Sequence, residues 1–251
     1  MPLELRHVKS DSEFNELIQC ECESYEDPFN GFYLLLRPDR GSPSGRDGFK
    51  ELRDRQIAWH KNDPTSIWLK VVDTDIGDKG FGGVCWNTFL MNPYPQPIEH
   101  PLEATWWPER GACEPREFAN KLLDDWLQHR SRKMNRAHML VALCFVHPEH
   151  RRRGVASMLL HWGTEQADEL GLEAFVESTD SGKPCYEQHG FTYMNTFYMD
   201  SAKRNPSKKW VEMANYSITP IHCFLMWRPK GGKFEEGTTV VPWNNGYYKN
   251  W

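Results

Sequence analysis

The sequence predicts a single α/β domain, spanning 1–251, in which helices cover both sides of a central mixed sheet of about six or seven strands. Apolar runs of strand length alternate along the chain with longer segments whose apolar residues repeat at helical spacing. In the middle of the chain, a strand, a helix and another strand follow one another, which implies a right-handed crossover between parallel strands. The length of 251 residues is ample for one core of this kind.

The composition argues against several classes of protein. The formal charge of −5 does not suit a nucleic-acid binder, and no apolar run is long enough to cross a membrane. The seven cysteines are irregularly spaced, and the close pair Cys20 and Cys22 has no second pair to complete a zinc site. We therefore expect reduced thiols, no metal, and a cytoplasmic protein without a signal peptide. The sequence gives no indication of the oligomeric state.

The first part of the chain is expected to supply strands and two helices. Alternation over 3–8 predicts a strand, and 11–25 is predicted to be a helix that its first residue, an aspartate, is suited to cap. A second helix is expected over 47–61. It is followed by a predicted hairpin, whose two strands are 67–72 and 80–89.

Three segments outside this alternation are predicted to be irregular. The proline-rich connection 92–115 is interpreted as a loop on the substrate side or as a packed surface loop. Segment 201–220 is polar, and basic at its start, and is predicted to be an inserted loop. Segment 230–251 is predicted to be a tail that packs over the surface. Between the first two, a helix is expected over 114–135.

The second half of the chain is organised around a strand, a loop and a helix between 139 and 171. The strand is the apolar run 139–146, and the loop contains Arg151-Arg152-Arg153-Gly154-Val155-Ala156. The first N–H groups of a helix have no partner within it and carry partial positive charge, and glycine permits a close approach to the backbone. The arginines add charge. This arrangement predicts a phosphate-binding loop; the alternative is an ordinary turn with a solvated basic face.

The loop resembles the central motif of the GNAT superfamily of N-acetyltransferases, which reads Arg or Gln, two residues, Gly, one residue, then Gly or Ala. The spacing Val146-x-Pro148-x-x-Arg151 also fits that family, and Tyr186-x-x-x-Gly190-Phe191 is similar to its second motif. The resemblance covers about 142–191 and makes 138–228 the best-supported part of the domain. It implies a GNAT-like central mixed β-sheet whose two parallel strands splay apart at one end. The remaining strands are expected over 174–178, 191–199 and 222–227.

The resemblance also implies how a cosubstrate is held. Acetyl-CoA is the expected acyl donor, with its thioester in the opening between the splayed strands. The backbone of 152–157 is expected to meet the pyrophosphate, and the end of the preceding strand to pair with the pantetheine arm. A bulge in that strand is expected to point an N–H at the acetyl oxygen. The implied cofactor-binding residues are Cys144, Phe145, Val146, Arg151, Arg152, Arg153, Gly154, Val155, Ala156 and Ser157.

Two residues are candidates for the catalytic acid and base. Tyr186 stands four residues before Gly190, as the family's tyrosine does, and is expected to protonate the leaving thiolate; the alternative is that it only packs on the cosubstrate and hydrogen-bonds the sulfur. Glu177 is the best single candidate for the base. The alternatives are a structural carboxylate bonded to neighbouring backbone, and a water chain that acts as the base. The family's frequent Asn is missing from 179–181, which puts a pantetheine contact from that side in doubt.

These features predict an N-acetyltransferase that moves an acetyl group from acetyl-CoA to an amine by direct attack on the thioester. The acceptor is expected to be a small molecule more than a protein. One alternative is a catalytically silent CoA-binding or interaction module, and another is an O-acyltransferase that uses another acyl-CoA. An enzyme that uses a nucleoside triphosphate is disfavoured, because the chain contains no Gly-x-x-x-x-Gly-Lys-Ser/Thr match.

Overall fold

The computed structural model describes residues 3–38, 48–96, 98, 102–107, 114–216 and 221–242. Seven strands within these ranges form one open, mixed sheet in the order β1-β2-β3-β4-β5-β7-β6. All seven strands were expected from the sequence, over the ranges given above. The strands are β1 (Leu3–His7), β2 (Ser66–Asp73), β3 (Lys79–Phe89), β4 (His138–Val146), β5 (Glu173–Ser178), β6 (Thr192–Met199) and β7 (Ile221–Arg228).

Helices cover both sides of this sheet, as predicted. One side is packed by the helix that follows β4, whose buried Leu159 and Leu160 join a core that includes Val84 and Val141. On the other side, Phe14 of the first helix joins a separate core with residues of β2, β3 and β4. The helices are α1 (Phe14–Glu26), α2 (Gly31–Leu36), α3 (Gly48–Asn62), α4 (Glu114–Lys133), α5 (Val155–Glu169), α6 (Lys183–Gln188) and α7 (Lys208–Tyr216).

The parallel strands β4 and β5 separate at one end, which confirms the predicted splay. Their pairing runs from His138 opposite Glu173 to Val141 opposite Val176, although both strands continue beyond the last pair. On its other side β4 stays paired with β3, with a register shift that leaves Ala142 as an extra residue. This is a β-bulge, which bends the strand locally. The bulge therefore lies at the point where the two strands part.

Glycine in β3 allows the start of α5 to sit close to the sheet. A Cβ built on Gly82 would lie 2.8 Å from the carbonyl oxygen of Phe145 and 2.8 Å from a methyl carbon of Val155. Both distances are far below an ordinary carbon contact, so a larger residue would push the helix away from the strand. The position of the first turn of α5 thus depends on this glycine.

The inserted loop predicted over 201–220 is wrong in part, because α7 lies within it. Trp210 of this helix is buried and packs edge-to-face on Phe118 of α4, with ring centroids 5.1 Å apart. Trp210, Met213 and Ala214 repeat at helical spacing and pack in one core with α4, so the helical signal was present but was masked by the polar residues around it. Residues 217–220 lie outside the described ranges. The helix expected over 114–135 is α4.

Parts of the other two irregular segments also fall outside the described residues. For the predicted loop 92–115 these are residue 97, 99–101 and 108–113, while the described Trp107 is buried against the side of α4. For the predicted tail they are 243–251, while the described Phe234 packs on Trp227 of β7, with ring centroids 6.4 Å apart. Among the described helices, none has the length and apolar character needed to span a membrane.

Candidate active site

A cavity of about 740 Å³ opens where β4 and β5 separate. Its walls are the ends of both strands, the loop and first turn of α5, the segment around α6, and the connection between α1 and α2. Every site residue predicted from the sequence lines this cavity except Arg153. The fold therefore places the predicted phosphate loop, acid and base around one space.

The loop before α5 presents a helix N-terminus to this cavity. Gly154 caps the helix with φ at 84°, and Arg152 also has a left-handed backbone, with φ at 63°. The bond from the N–H of Met158 to the C=O of Gly154, at 3.0 Å, is the first of the helix, so the N–H groups of 155–157 have no partner within it. A Cβ on Gly154 would meet no atom within 4 Å, so the space before the helix is open. These N–H groups are suited to bind an anion.

The three arginines of the loop do different things. Arg151 donates to the C=O of Ser24 at 3.0 Å, which ties the loop to α1, and Arg152 is exposed on the cavity wall. Arg153 is turned away, and its guanidinium pairs with the buried carboxylate of Asp73 at 3.0 Å. The sequence prediction that Arg153 adds its charge to the cosubstrate site is therefore wrong for the side chain. Its role in the fold is to anchor the loop to the end of β2.

Two histidines, His147 and His150, contact residues in and around the same loop. The ring of His150 stacks on Phe81 with centroids 3.6 Å apart, and its Nδ1 lies 2.8 Å from a guanidinium nitrogen of Arg153. Burial, followed by the charge of Arg153, lowers the pKa of His150, so the neutral ring accepts this bond. His147 pairs with Glu23 at 2.8 Å. With Glu149 these histidines place potential metal-ligand atoms within 4.8 Å of one another, but both rings are already engaged by protein groups.

The edge of β4 beyond the bulge offers backbone groups to the cavity. The N–H of His147 donates to the C=O of Phe81 at 2.9 Å. The backbone N–H and C=O groups of residues 145 and 147 therefore point toward β3. Because N–H and C=O directions alternate along a strand, the backbone groups of Cys144 and Val146 face the opening. The C=O of Cys144 accepts a hydrogen bond from the hydroxyl of Tyr25 at 3.3 Å. This edge can pair with an extended ligand that lies between the strands.

Tyr186 places its phenol beside the same edge. The residue is 7% exposed, packs edge-to-face on Phe191 at 5.6 Å, and has its hydroxyl against the thiol of Cys144. Burial raises the pKa of Tyr186 well above 10, so the phenol keeps its proton at neutral pH and can donate it. Burial also raises the pKa of Cys144 to about 12, so its thiol stays neutral and is poorly suited to act as a nucleophile.

Glu177 reaches the cavity from β5 and is held by an arginine that the sequence analysis did not identify. Both carboxylate oxygens accept from Arg130 of α4, with N–O distances between 2.5 and 3.0 Å. The guanidinium of Arg130 lies over Trp126, 3.8 Å from the ring centroid. Arg130 follows Trp126 by four residues on the buried stripe of α4, and a charged residue in such a stripe is a detectable signal. The general-base role of Glu177 stays a prediction.

A second group that the sequence analysis missed comes from α1 and α2. Tyr25 lines the cavity together with the α1–α2 connection at 28–30. Its ring stacks on Tyr33 of α2, and the fully buried carboxylate of Glu21 lies beside Tyr33. Glu21 and Tyr25 stand at helical spacing from Phe14 on the inner face of α1, so a charged residue on an apolar stripe was again the available signal.

Comparisons with known proteins place this architecture. Residues 122–193, which run from α4 into β6, match the family model of the acetyltransferase (GNAT) domain. No curated protein matches the sequence. A structure from Corynebacterium glutamicum, described as histone acetyltransferase HPA2 and related acetyltransferase, has a TM-score of 0.51 and 15% identity, over 94% of this chain and 99% of that chain.

A second similar structure is a protein provisionally assigned as a phosphinothricin N-acetyltransferase. Its TM-score is 0.50 and its identity 13%, over 91% of this chain and 98% of that chain. At these identities the similarity shows the fold, and the family match adds the central motif. The chain therefore contains a match to the GNAT acetyltransferase domain over residues 122–193, within a fold that solved acetyltransferase structures share.

Proposed function

We propose that the protein is an N-acetyltransferase that moves an acetyl group from acetyl-CoA to an amine by direct attack on the thioester. The observation that carries this proposal is one continuous cavity that joins the N-terminus of α5 to the phenol of Tyr186 between two splayed strands. A pyrophosphate needs the N–H groups at the helix N-terminus, and a leaving thiolate needs a proton donor such as the phenol.

The loop end of the cavity supports the binding of the pyrophosphate. The free N–H groups of 155–157 and the side chains of Arg151 and Arg152 supply positive charge there. The pantetheine arm would lie along β4, where the backbone groups of Cys144 and Val146 are available for pairing. In this arrangement the thioester sulfur would lie near the bulge at Ala142 and near Tyr186.

The reaction then proceeds as a balanced transfer. The amine nitrogen bonds to the thioester carbon, the carbonyl becomes an oxyanion, and the carbon–sulfur bond breaks as the carbonyl re-forms. Tyr186 gives its phenolic proton to the leaving thiolate, which departs as the thiol of CoA, and solvent later returns a proton to the phenolate. The amide product has lost one amine proton, which a base must take.

Glu177 is the proposed acceptor of that proton. Its two oxygens already accept hydrogen bonds from Arg130, but an ionised carboxylate has about four lone-pair sites. An amine or a bridging water can therefore bind Glu177 without breaking the pair. In this arrangement Arg130 holds the carboxylate in one orientation.

The proposed acceptor is a small molecule. The cavity of about 740 Å³ must hold the pantetheine arm as well as the acceptor, which leaves room for a small acceptor. Tyr25, Phe29 and Asn30 line the cavity on the side of α1 and α2, which we assign to the acceptor. A cytoplasmic location is kept as a prediction.

The proposal is tested by incubating the purified protein with acetyl-CoA and a panel of primary amines, with matched alcohols as a second panel. Release of free thiol and an acetylated amine in the mass spectrum are expected. Acetylation of alcohols alone would replace the proposal with O-transfer. Binding of acetyl-CoA without transfer to either panel would instead favour a silent CoA-binding module.

A further inference from the structure

The acceptor side of the cavity contains a buried polar group that the proposed chemistry does not use. The carboxylate of Glu21 is fully buried, and it accepts a hydrogen bond from Nε2 of Gln56 at 3.0 Å. The hydroxyl of Tyr33 lies against the same carboxylate and 3.5 Å from the thiol sulfur of Cys22, and the charge of Arg55 lies nearby. A buried carboxylate is costly unless such partners are held in place. Glu21 thus fixes the hydroxyl of Tyr33.

Tyr33 in turn fixes the ring of Tyr25. The two rings are stacked with centroids 4.5 Å apart and planes 20° apart, and Tyr33 is only 4% exposed. The hydroxyl of Tyr25 then reaches the C=O of Cys144 at 3.3 Å, on the edge of β4 that faces the cavity. The phenol of Tyr25 is therefore held against β4, where the thioester is expected, by Tyr33, Glu21 and Gln56.

The direction of the Tyr25 hydrogen bond decides what this phenol offers to a ligand. A phenol has one O–H donor and can also accept hydrogen bonds through its lone pairs. Burial, followed by the charge of Glu21, raises the pKa of Tyr25, so its proton is retained and donated to Cys144. The oxygen of Tyr25 is left to accept. Tyr186 differs, because its hydroxyl faces the thiol of Cys144, a weak acceptor, and its proton remains available.

We propose that Tyr25 positions the acceptor amine, by accepting a hydrogen bond from one N–H of the nucleophile beside Cys144. The bound N–H turns the nitrogen so that its lone pair points at the acyl carbon. This inference rests on the proposed function and deepens it. A primary amine has two N–H groups, one to bind Tyr25 and one to lose during the transfer. A secondary amine has a single N–H and cannot do both, so the site selects primary amines.

The test uses methoxyamine and N,O-dimethylhydroxylamine as matched primary and secondary probes, which are small and have no O–H group that could replace an N–H as donor. Acyl transfer from acetyl-CoA to each probe is measured above the uncatalysed rate. The wild-type protein is expected to favour methoxyamine. Tyr25→Phe keeps the ring that stacks on Tyr33 and removes only the oxygen. It is expected to lower kcat/KM for methoxyamine about tenfold, the effect of one hydrogen bond, and to leave the Kd of acetyl-CoA unchanged.

Tyr198→Phe is the control, because Tyr198 lies on β6, is 57% exposed, and does not line the cavity. Wild-type kcat/KM in Tyr25→Phe would overturn the inference, as would a loss that appears equally in acetyl-CoA affinity. If Tyr25→Phe does not fold, equal use of the two probes by the wild-type protein overturns it independently. Acetyl-CoA binding with no acceleration of either probe overturns the inference as well. Failure to bind acetyl-CoA at all instead overturns the proposed function.

Discussion

The buried carboxylate of Glu21 should make the stability of this protein depend on pH in a measurable way. Burial raises the pKa of Glu21 from 4.5 to about 8, and the partners Tyr33, Arg55 and Gln56 offset only part of this effect. The folded protein therefore binds a proton that the unfolded chain releases. Glu21→Gln keeps the size of the side chain and an oxygen that can accept from Gln56, but it cannot ionise.

The magnitude follows from the difference in bound protons. Below pH 4.5 Glu21 is protonated in both the folded and the unfolded state, so it does not lower the free energy of unfolding of the wild type. Between pH 4.5 and about 8 only the folded state keeps the proton, so each added pH unit lowers the free energy of unfolding by about 1.4 kcal/mol. From pH 5.5 to 7.5 the wild type should therefore lose on the order of 3 kcal/mol relative to Glu21→Gln.

Urea unfolding of both proteins at these two pH values measures this difference. Glu169→Gln is the matched control for the substitution itself, because Glu169 lies exposed at the end of α5. If the free energies of the wild type and Glu21→Gln change in parallel with pH, then Glu21 is ionised in the folded protein. In that case the argument that burial outweighs the partners of Glu21 and keeps it protonated in the folded protein is wrong.

Two further changes test the catalytic assignments. Tyr186→Phe removes the proton donor and should lower kcat by about a hundredfold or more, while the Kd of acetyl-CoA from calorimetry changes little; unchanged turnover would remove Tyr186 as the acid. Glu177→Gln keeps an acceptor for Arg130 but cannot take a proton, so the rise of kcat/KM with pH should flatten; a wild-type pH profile would assign the base elsewhere.

The sequence predicts the strand, loop and helix around Gly154 well because that information is local. The loop from Arg151 to Ala156 is flanked directly by the strand and the helix that position it, so spacing alone specifies where its N–H groups lie. The direction of Arg153 is not local. It depends on Asp73, which is 80 residues away in the chain. A motif that names three arginines cannot tell which of them turns toward the ligand.

The same distinction explains the acceptor side of the site. Glu177 was found on β5, but its partner Arg130 is 47 residues away, on a helix whose packing angle the sequence does not specify. The hydroxyl of Tyr25 meets Cys144 across 119 residues. Such contacts arise from how helices pack on the sheet, whereas periodicity reports only which face of each element is buried. Charged residues on apolar stripes were the one sign that these contacts exist.

The central claim is that the N-terminus of α5 holds the pyrophosphate of acetyl-CoA, and titration calorimetry with two variants of Gly154 tests it most directly. Gly154→Ala and Gly154→Asp both place a side chain at a φ of 84°, a strain of roughly 1–2 kcal/mol that Asp tolerates better than Ala, so weaker binding by Gly154→Asp than by Gly154→Ala reports the added carboxylate. Acetyl-CoA should bind the wild type in the micromolar range and Gly154→Ala somewhat more weakly. Gly154→Asp should show no binding, and neither should ATP with the wild type. Equal affinity of Gly154→Asp and Gly154→Ala for acetyl-CoA would contradict the account, because no phosphate could then lie at this helix.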